Sequence, residues 1–521
     1  MNESQRIIRS AWGITAWTAV SRLAGVLRDA TIARFLGASA ASDAFYTAFR
    51  IPNAFRAIVG EGGLPGALVP IAKRIERERP GEEGLYAGRV LTLLLIVLLV
   101  LVVAGVLAAP LLVALFAAGF RSTPGKFELA VRLTRWMFPY ILLVSSAALL
   151  ESYLNAKGKF QLSAATPVAL NLSIVAAAWL LAPVGVPVPV ALAGGGLFGG
   201  FLQFALQVPA VHRLGFRFGA APWGDPDVKG TALLIAPRLW GMGVGQINFL
   251  ISSRTLSALG DAFFTYNFNA FRIVDFVLGG FVVSVTRALL PALSEQALRR
   301  DRTDYLRSVS LGLRLTAFVT LPSTIGLALA ADPIVDLIFR RGRFGRADVA
   351  ETALAVSWFS VGLFAAAGLK ILTQAFYALH DTKTPVVVAT ADVLLFWGLC
   401  VLLAGPMKHA GVALATSAGF WINFVLLFVL LRRRLGRIGG RELAVSSLRL
   451  SAASLAMGGW VALWMAKLVP YDPALGFLVR GLWVLFTVGS AGAVFVVAAK
   501  LLGAPEVEEA LGVFRRRARP A

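Results

Sequence analysis

The feature that most restricts this chain is a run of 20 residues, Val90–Ala109, that contains no charged side chain and only one hydroxyl. In a bilayer every backbone N–H and C=O must find its partner within the protein, so a run of this length and composition is read as a membrane-crossing helix. Similar runs recur along the whole chain. Of 521 residues, 58% are hydrophobic and only 15% charged, where a water-soluble domain would have about a quarter charged. Strands of an outer-membrane barrel would be short and alternating, so solidly apolar runs exclude that class. The fold class expected is an all-α polytopic membrane protein of about 14 transmembrane helices. They centre on residues 10–33, 43–72, 86–116, 128–154, 160–182, 187–211, 230–257, 262–295, 306–331, 348–378, 385–404, 409–431, 444–467 and 475–500. The first apolar stretch is interrupted by Arg22, Arg28 and Asp29 and lacks a small-residue cleavage pattern, so it is expected to remain as the first span.

The net charge of +22 would suggest nucleic acid in a soluble protein. Here most cations fall in short loops, where they carry topology instead, and no nucleic-acid partner is expected. With the N-terminus in the cytoplasm, the inside loops hold Lys73, Arg74, Arg77, Arg79, Lys157, Lys159, Arg299, Arg300, Arg302, Arg432, Arg433, Arg434 and Arg437, and the tail holds Arg515, Arg516 and Arg517. The outside loops hold fewer, chiefly Arg34, Arg121, Lys126 and one dissenting cluster, Arg340, Arg341, Arg343 and Arg346. Both termini are therefore expected in the cytoplasm. A single cysteine, Cys400, and three histidines dispersed over predicted loops (His212, His380, His409) offer neither a disulfide nor a metal site. No phosphate-cradling loop of the GxxxxGK[ST] kind is present, and no catalytic constellation or cofactor is visible.

The chain repeats itself. AFRI at 48–51 returns at 270–273, and ALVP at 67–70 returns as ALLP at 288–291, at offsets of 222 and 221. The offset spans six helices, an even number, so both copies enter the membrane from the same side and form parallel repeats around a central cavity. The expected division is an N-terminal lobe at 1–212, a C-terminal lobe at 213–435, and an appended pair of helices with the tail at 436–521.

Charge inside a span costs about 2.5–3.5 kcal/mol per residue at mid-membrane, so repeated intramembrane charge marks a site. The first span reads SRLAGVLRDATIARFLG. Arg22 and Asp29, seven residues apart, share a face, and Arg28 lies ~9 Å along the axis from Arg22. Gly25 between them permits close packing or a bend. In the second span Asp43 and Arg50 share a face, Pro52 removes a backbone hydrogen bond, and Arg56, Glu61, Gly62 and Gly63 follow, so that hinging is expected at Pro52 and the glycine pair. In the second repeat Arg272 takes the place of Arg50, with Asp275 one turn on. Five arginines outnumber four acids, and a guanidinium fork suits phosphate oxygens. The expectation is a substrate site of Arg22, Arg28, Arg50, Arg56 and Arg272, steadied by Asp29, Asp43, Glu61 and Asp275. The competing reading is that such Arg–Asp pairs only lock helices together.

On SRLAGVLRDATIARFLGA (21–38), SDAFYTAFRIPNAFRAIVGEG (42–62), FPYILL (138–143), HDTKTPV (380–386) and MKHAGVAL (407–414), the sequence resembles the MurJ/MviN lipid II flippases of the MOP exporter superfamily. The resemblance implies 14 helices in two lobes, alternating access, and a groove in the last two helices for a polyprenyl tail. It implies undecaprenyl-pyrophosphate carrying the disaccharide-pentapeptide (lipid II) as substrate, moved from the cytoplasmic to the periplasmic leaflet of the bacterial inner membrane. Membrane lipids and the cell-wall synthesis machinery are the implied further partners. Family cavity arginines fall on Arg22, Arg28, Arg56 and Arg272, a further basic position on Arg50, and the acid opening the second span on Asp43. Phe271 stands where some members place an acid, and LLFWGLCVLL (394–403) lacks the oxygen ligands that some members use for sodium. Alternatives are a flippase for another polyprenyl-linked glycan of the O-antigen type, a multidrug antiporter, whose cavity would need to be acidic, and a non-transporting scaffold.

Overall fold

The computed structural model describes residues 3–56, 64–220, 224–299 and 301–509. Glu61, Gly62 and Gly63, expected as an acidic partner and a hinge, lie outside the described residues. Contacts divide the chain into two compact units, Met1–Thr265 with Arg341–Phe344, and Tyr266–Arg340 with Gly345–Ala521. The division falls after Thr265, later than the boundary at 212 expected from the repeat.

The first unit contains α1 (Glu3–Leu36), α2 (Ala40–Arg56), α3 (Leu64–Glu78), α4 (Glu83–Leu107), α5 (Ala109–Ala117), α6 (Lys126–Met137), α7 (Tyr140–Ala156), α8 (Phe160–Leu181), α9 (Val188–Ala205), α10 (Val208–Arg213) and α11 (Pro226–Ala258). It packs α8 on α1 and α9, α2 on α6, and α3 on α7, with α11 against α3, α4 and α5. Without a hydrophobic driving force between helices in lipid, close packing relies on small residues. Gly195 and Gly199, one turn apart on α9, show this: a Cβ on Gly195 would lie 2.6 Å from the Cβ of Ala177, and one on Gly199 would lie 2.8 Å from the Cα of Leu170.

α12 (Phe263–Val277) begins at the end of the first unit, and the second unit continues with α13 (Val283–Leu298), α14 (Arg302–Phe339), α15 (Arg346–Ser360), α16 (Leu363–Ala378), α17 (Lys383–Leu435), α18 (Gly440–Leu463) and α19 (Phe477–Leu501). A π-helical turn, Leu278–Val282, joins α12 to α13. α14 is the hub, packed by α13, α15, α16, α18 and α19. α17 runs 53 residues and contains Lys408 at φ 51°, two residues after Pro406. The two spans expected here, at 385–404 and 409–431, are the two helices of this stretch, which meet at Lys408 just beyond Pro406.

Eight helical stretches among the described residues are long and apolar enough to cross a membrane, and α15 with α16, bent by 44°, makes a ninth. The two legs of α17 raise that to ten. The remaining four expected spans are α1, α2 with α3, α11, and α12 with α13. The all-helical architecture matches the sequence expectation, and none of the described residues forms a strand. The chain is a multi-pass membrane protein.

Candidate substrate site

Each predicted charge was placed by its helix, and its surroundings differ from one to the next. On α1, Arg28 is buried at 6% exposure and Asp29 at 4%. Arg28 donates from Nε (2.9 Å) and Nη2 (2.7 Å) to Oδ1 of Asp29, and from Nη1 to Oδ1 of Asn171 on α8 at 2.9 Å. Asn171 in turn donates to the backbone oxygen of Ser21 at 3.2 Å. Gly25 faces the same Asn171 amide, 3.8 Å from where its Cβ would be, an ordinary packing distance. The Arg28 guanidinium lies 5.7 Å from the centre of the Phe49 ring on α2. Three of its five N–H bonds are occupied, which leaves two donors. Arg22 is partly buried, one and a half turns earlier on the same helix.

On α2, Arg50 is partly buried with its guanidinium 4.1 Å from the ring centre of Phe249 on α11. A cation over a ring face gains roughly 0.5–2 kcal/mol and keeps its in-plane N–H donors usable. Arg56, at the end of α2, donates to Asn53 Oδ1 at 3.1 Å, and Asn53 is anchored to the Phe49 carbonyl at 2.8 Å. Pro52 is buried inside α2.

Asp43 was expected to steady an arginine of its own helix. It is completely buried and ion-pairs instead with Lys126 at the start of α6, at 2.8 Å. Its carboxylate also accepts from the backbone N–H of Ala262 (2.9 Å), the backbone N–H of Thr265 (3.0 Å) and the Thr265 hydroxyl (2.6 Å). Lys126 reaches Asp261 as well, at 2.8 Å. Lys126, read from sequence as a loop charge, is 3% exposed and one of the most enclosed cations of the first unit. Its position at the boundary of an apolar run gave no sign that it folds inward.

In the second unit, Arg272 on α12 is partly buried with its guanidinium 5.2 Å from the Phe268 ring centre, one turn back. Asp275 follows at the next turn, also partly buried. Phe271, the position that departs from the resemblance, packs edge-on against Phe359 with ring centres 5.5 Å apart. His409, read as a loop residue, is 1% exposed and follows the α17 bend. Its Nε2 lies 2.9 Å from the Glu351 carbonyl, and its own carbonyl accepts from Asn267 at 3.0 Å. The loop cations that dissented from the topology rule also find partners: Arg340 pairs with Asp336 at 3.0 Å, Arg346 pairs with Asp332 at 2.7 Å, and the Arg343 backbone N–H donates to the Arg34 carbonyl at 3.0 Å. Among the described residues no three His, Cys, Asp or Glu side chains gather as a metal site would require.

The sequence reasoning missed Lys126, Asn171, Asp336 and Arg480. Asp336 and Arg480 each stand alone in an apolar run, IVDLIF and FLVRGLW, and the rule that singled out Arg28 applies equally to them.

The fold is shared with solved transporters of one superfamily. A multidrug-resistance MATE transporter of the MOP superfamily in an inward-facing conformation aligns with a TM-score of 0.65 at 15% identity, over 81% of this chain and 94% of that one. The solved lipid II flippase MurJ in an inward closed conformation aligns with a TM-score of 0.77 at 23% identity, over 96% of this chain and 99% of that one. The helices and their order thus give this chain the fold that these solved transporters share. Sequence narrows this further. The family model described as lipid II flippase MurJ matches residues 32–483. The lipid II flippase MurJ of Burkholderia cenocepacia is 35% identical over 437 residues, 82% of this chain and 84% of that protein. The probable lipid II flippase MurJ of Vibrio cholerae is 32% identical over 440 residues, 82% and 83% respectively. The chain belongs to the lipid II flippase MurJ family.

Proposed function

We propose that this protein carries lipid II, undecaprenyl-pyrophosphate bearing the disaccharide-pentapeptide, from the cytoplasmic to the periplasmic leaflet of the bacterial inner membrane, with both termini in the cytoplasm. Family membership supports the substrate. The physical observation that carries the site is the Arg28 guanidinium, held at the depth of a membrane helix by Asp29 and Asn171 with two N–H donors to spare. A guanidinium so fixed has little orientational freedom left to lose when a diphosphate oxygen docks. Arg22, Arg56 and Arg272, each partly buried, supply further cations, and Arg50 assists from its place over the Phe249 ring. Asp29, Asp275 and Glu61 keep these cations ionised and oriented, while Asp43 acts one step back through Lys126. Pro52 and the Gly62–Gly63 pair supply bending in the second span. The chain acts as a carrier and makes or breaks no covalent bond.

The test is replacement of the endogenous flippase in a depletion strain, combined with lipid II translocation by the purified chain in proteoliposomes. Growth and translocation that both survive Arg28→Ala, at normal membrane levels, would sink the site. Translocation of other polyprenyl-pyrophosphate glycans at the same rate as lipid II would widen the substrate class to the shared diphosphate.

A further inference from the structure

α14 carries a partly buried cation in its first half, Arg314, and a buried acid near its end, Asp336, and each is answered from the C-terminal helices. Arg314, 14% exposed in its side chain, donates to Oε1 of Glu506 at 3.0 Å. Glu506 is completely buried, accepts also from the Ser446 hydroxyl of α18 at 2.7 Å, and follows directly on α19. Arg314 further reaches Glu509 at 3.4 Å. Near the end of α14, Asp336 is likewise completely buried. It pairs with Arg480 of α19, accepts from the Tyr471 hydroxyl in the α18–α19 connection, and pairs with Arg340 at 3.0 Å. Arg340 donates in turn to the Pro473 carbonyl of the same connection.

Twenty-two residues separate the two sites, and α14 departs from helical geometry between them at Ala330. Between them the contact is apolar. Gly458 of α18 lies so close to α14 that its Cβ would be 2.7 Å from Ile325 Cγ2, and Phe318 meets Phe495 of α19 at 5.3 Å between ring centres. Such a seam of Leu, Ile, Phe and small residues has no strong preference for one register over a slip by a turn, because lipid-facing helices gain nothing from hydrophobic burial. Buried ion pairs contribute little net stability, and their best-attested use is in fixing register. A slip of one turn would carry each charge about 5.4 Å from its partner and leave both ends uncompensated at once.

We propose that Arg314–Glu506 and Asp336–Arg480 form a two-ended ionic clamp that sets the register of α18 and α19 on α14, so that these three helices move as one body. All four side chains are positioning residues. The consequence for transport rests on the flippase reading above; the register itself does not.

Disulfide trapping in membranes tests the clamp. In a Cys400→Ala background, cysteines at 325 and 458 report the observed register, and cysteines at 321 and 458 report a slip of one turn. Removing the four charges together by Asp336→Leu, Arg480→Met, Arg314→Met and Glu506→Met is expected to raise the slipped disulfide about tenfold over the parent, a shift of ~1.4 kcal/mol, and to lower complementation of the depletion strain. A variant that keeps the parental ratio of the two disulfides overturns the proposal, whatever its thermal stability. Should the fourfold variant fail to reach the membrane, Arg480→Gln and Glu506→Gln, which each remove the charge and retain a hydrogen-bonding group, are read by the same ratio: a rise supports the clamp and the parental ratio overturns it. A slipped register in a chain that never translocates lipid II would leave the clamp standing and remove only the flippase reading.

Discussion

α2 and α12 hold equivalent places in the two copies of the repeat and share the tetrapeptide Ala-Phe-Arg-Ile, yet they handle charge differently. Seven residues before the arginine, the first copy has Asp43 and the second has Thr265, separated by the same 222 positions as the tetrapeptides. These equivalent residues bond to one another: Asp43 accepts from both the backbone N–H and the hydroxyl of Thr265. Two carboxylates meeting there would repel, whereas an acid and a hydroxyl at equivalent places are complementary. Divergence at this one position turned a repeated residue into a donor–acceptor pair. The arginines were kept alike, Arg50 and Arg272 each lying beside an aromatic ring.

The largest expected effect separates those arginines. Arg272→Ala should abolish complementation, as should Arg28→Ala, with membrane levels unchanged by immunoblot, while Arg50→Ala should only weaken it. Equal loss at 50 and 272 would make the two copies functionally equivalent. Next in size, Asp43→Asn leaves Lys126 enclosed with only the partly exposed Asp261, a change worth about 3–5 kcal/mol for a buried pair. Thr265→Val, which spares the backbone bonds and the ion pair, should cost only about 1 kcal/mol. Thermal unfolding in detergent checks both, and similar losses at the two positions would refute the asymmetry.

A third effect lies outside the spans. Hydrogen bonds from Lys157 and Lys73 hold the Glu76 carboxyl below its ordinary 4.5. Glu83, at the start of α4, pairs with the same Lys157 at 2.7 Å. Lys157 lies above its ordinary 10.5 because those two acids outweigh its burial. The Glu76 contribution is therefore present above pH 4.5 and lost as pH falls through its depressed native value. The Lys157 contribution is present below pH 10.5 and lost as pH rises through its raised native value. Lys157→Met should flatten both edges of a stability profile over pH. The smallest effect is Arg89→Ala, which removes a partly exposed pair with Asp225 at 2.8 Å. It should cost about 0.5–1 kcal/mol at low salt and less at high salt.

Much of the fold was legible because hydrophobic length is a property of consecutive residues. The stretches that pass as spans are apolar along the chain, and the charges were noticed in three of the other expected spans, at 10–33, 43–72 and 262–295. The boundary between the spans at 385–404 and 409–431 was legible where the chain kinks, at Lys408, because Gly405 and Pro406 interrupt the apolar run there. Of the candidate site, the arginines and Asp29 were found one by one from the cost of charge in a span. Their partners were not, because Asn171 lies 143 residues from Arg28, and Lys126 lies 83 residues from Asp43.

The sequence by itself determined a multi-pass helical membrane protein, its internal repeat and the positions of its costly charges, since each follows from composition over a helix length or from matched words at a fixed offset. Only the tertiary structure decided that Asp43 answers Lys126, that Arg28 is braced by Asn171, and that α14 is clamped at two points. Helix faces from distant parts of the chain converge there, and a buried charge takes whichever opposite group or N–H the packing brings within about 3 Å.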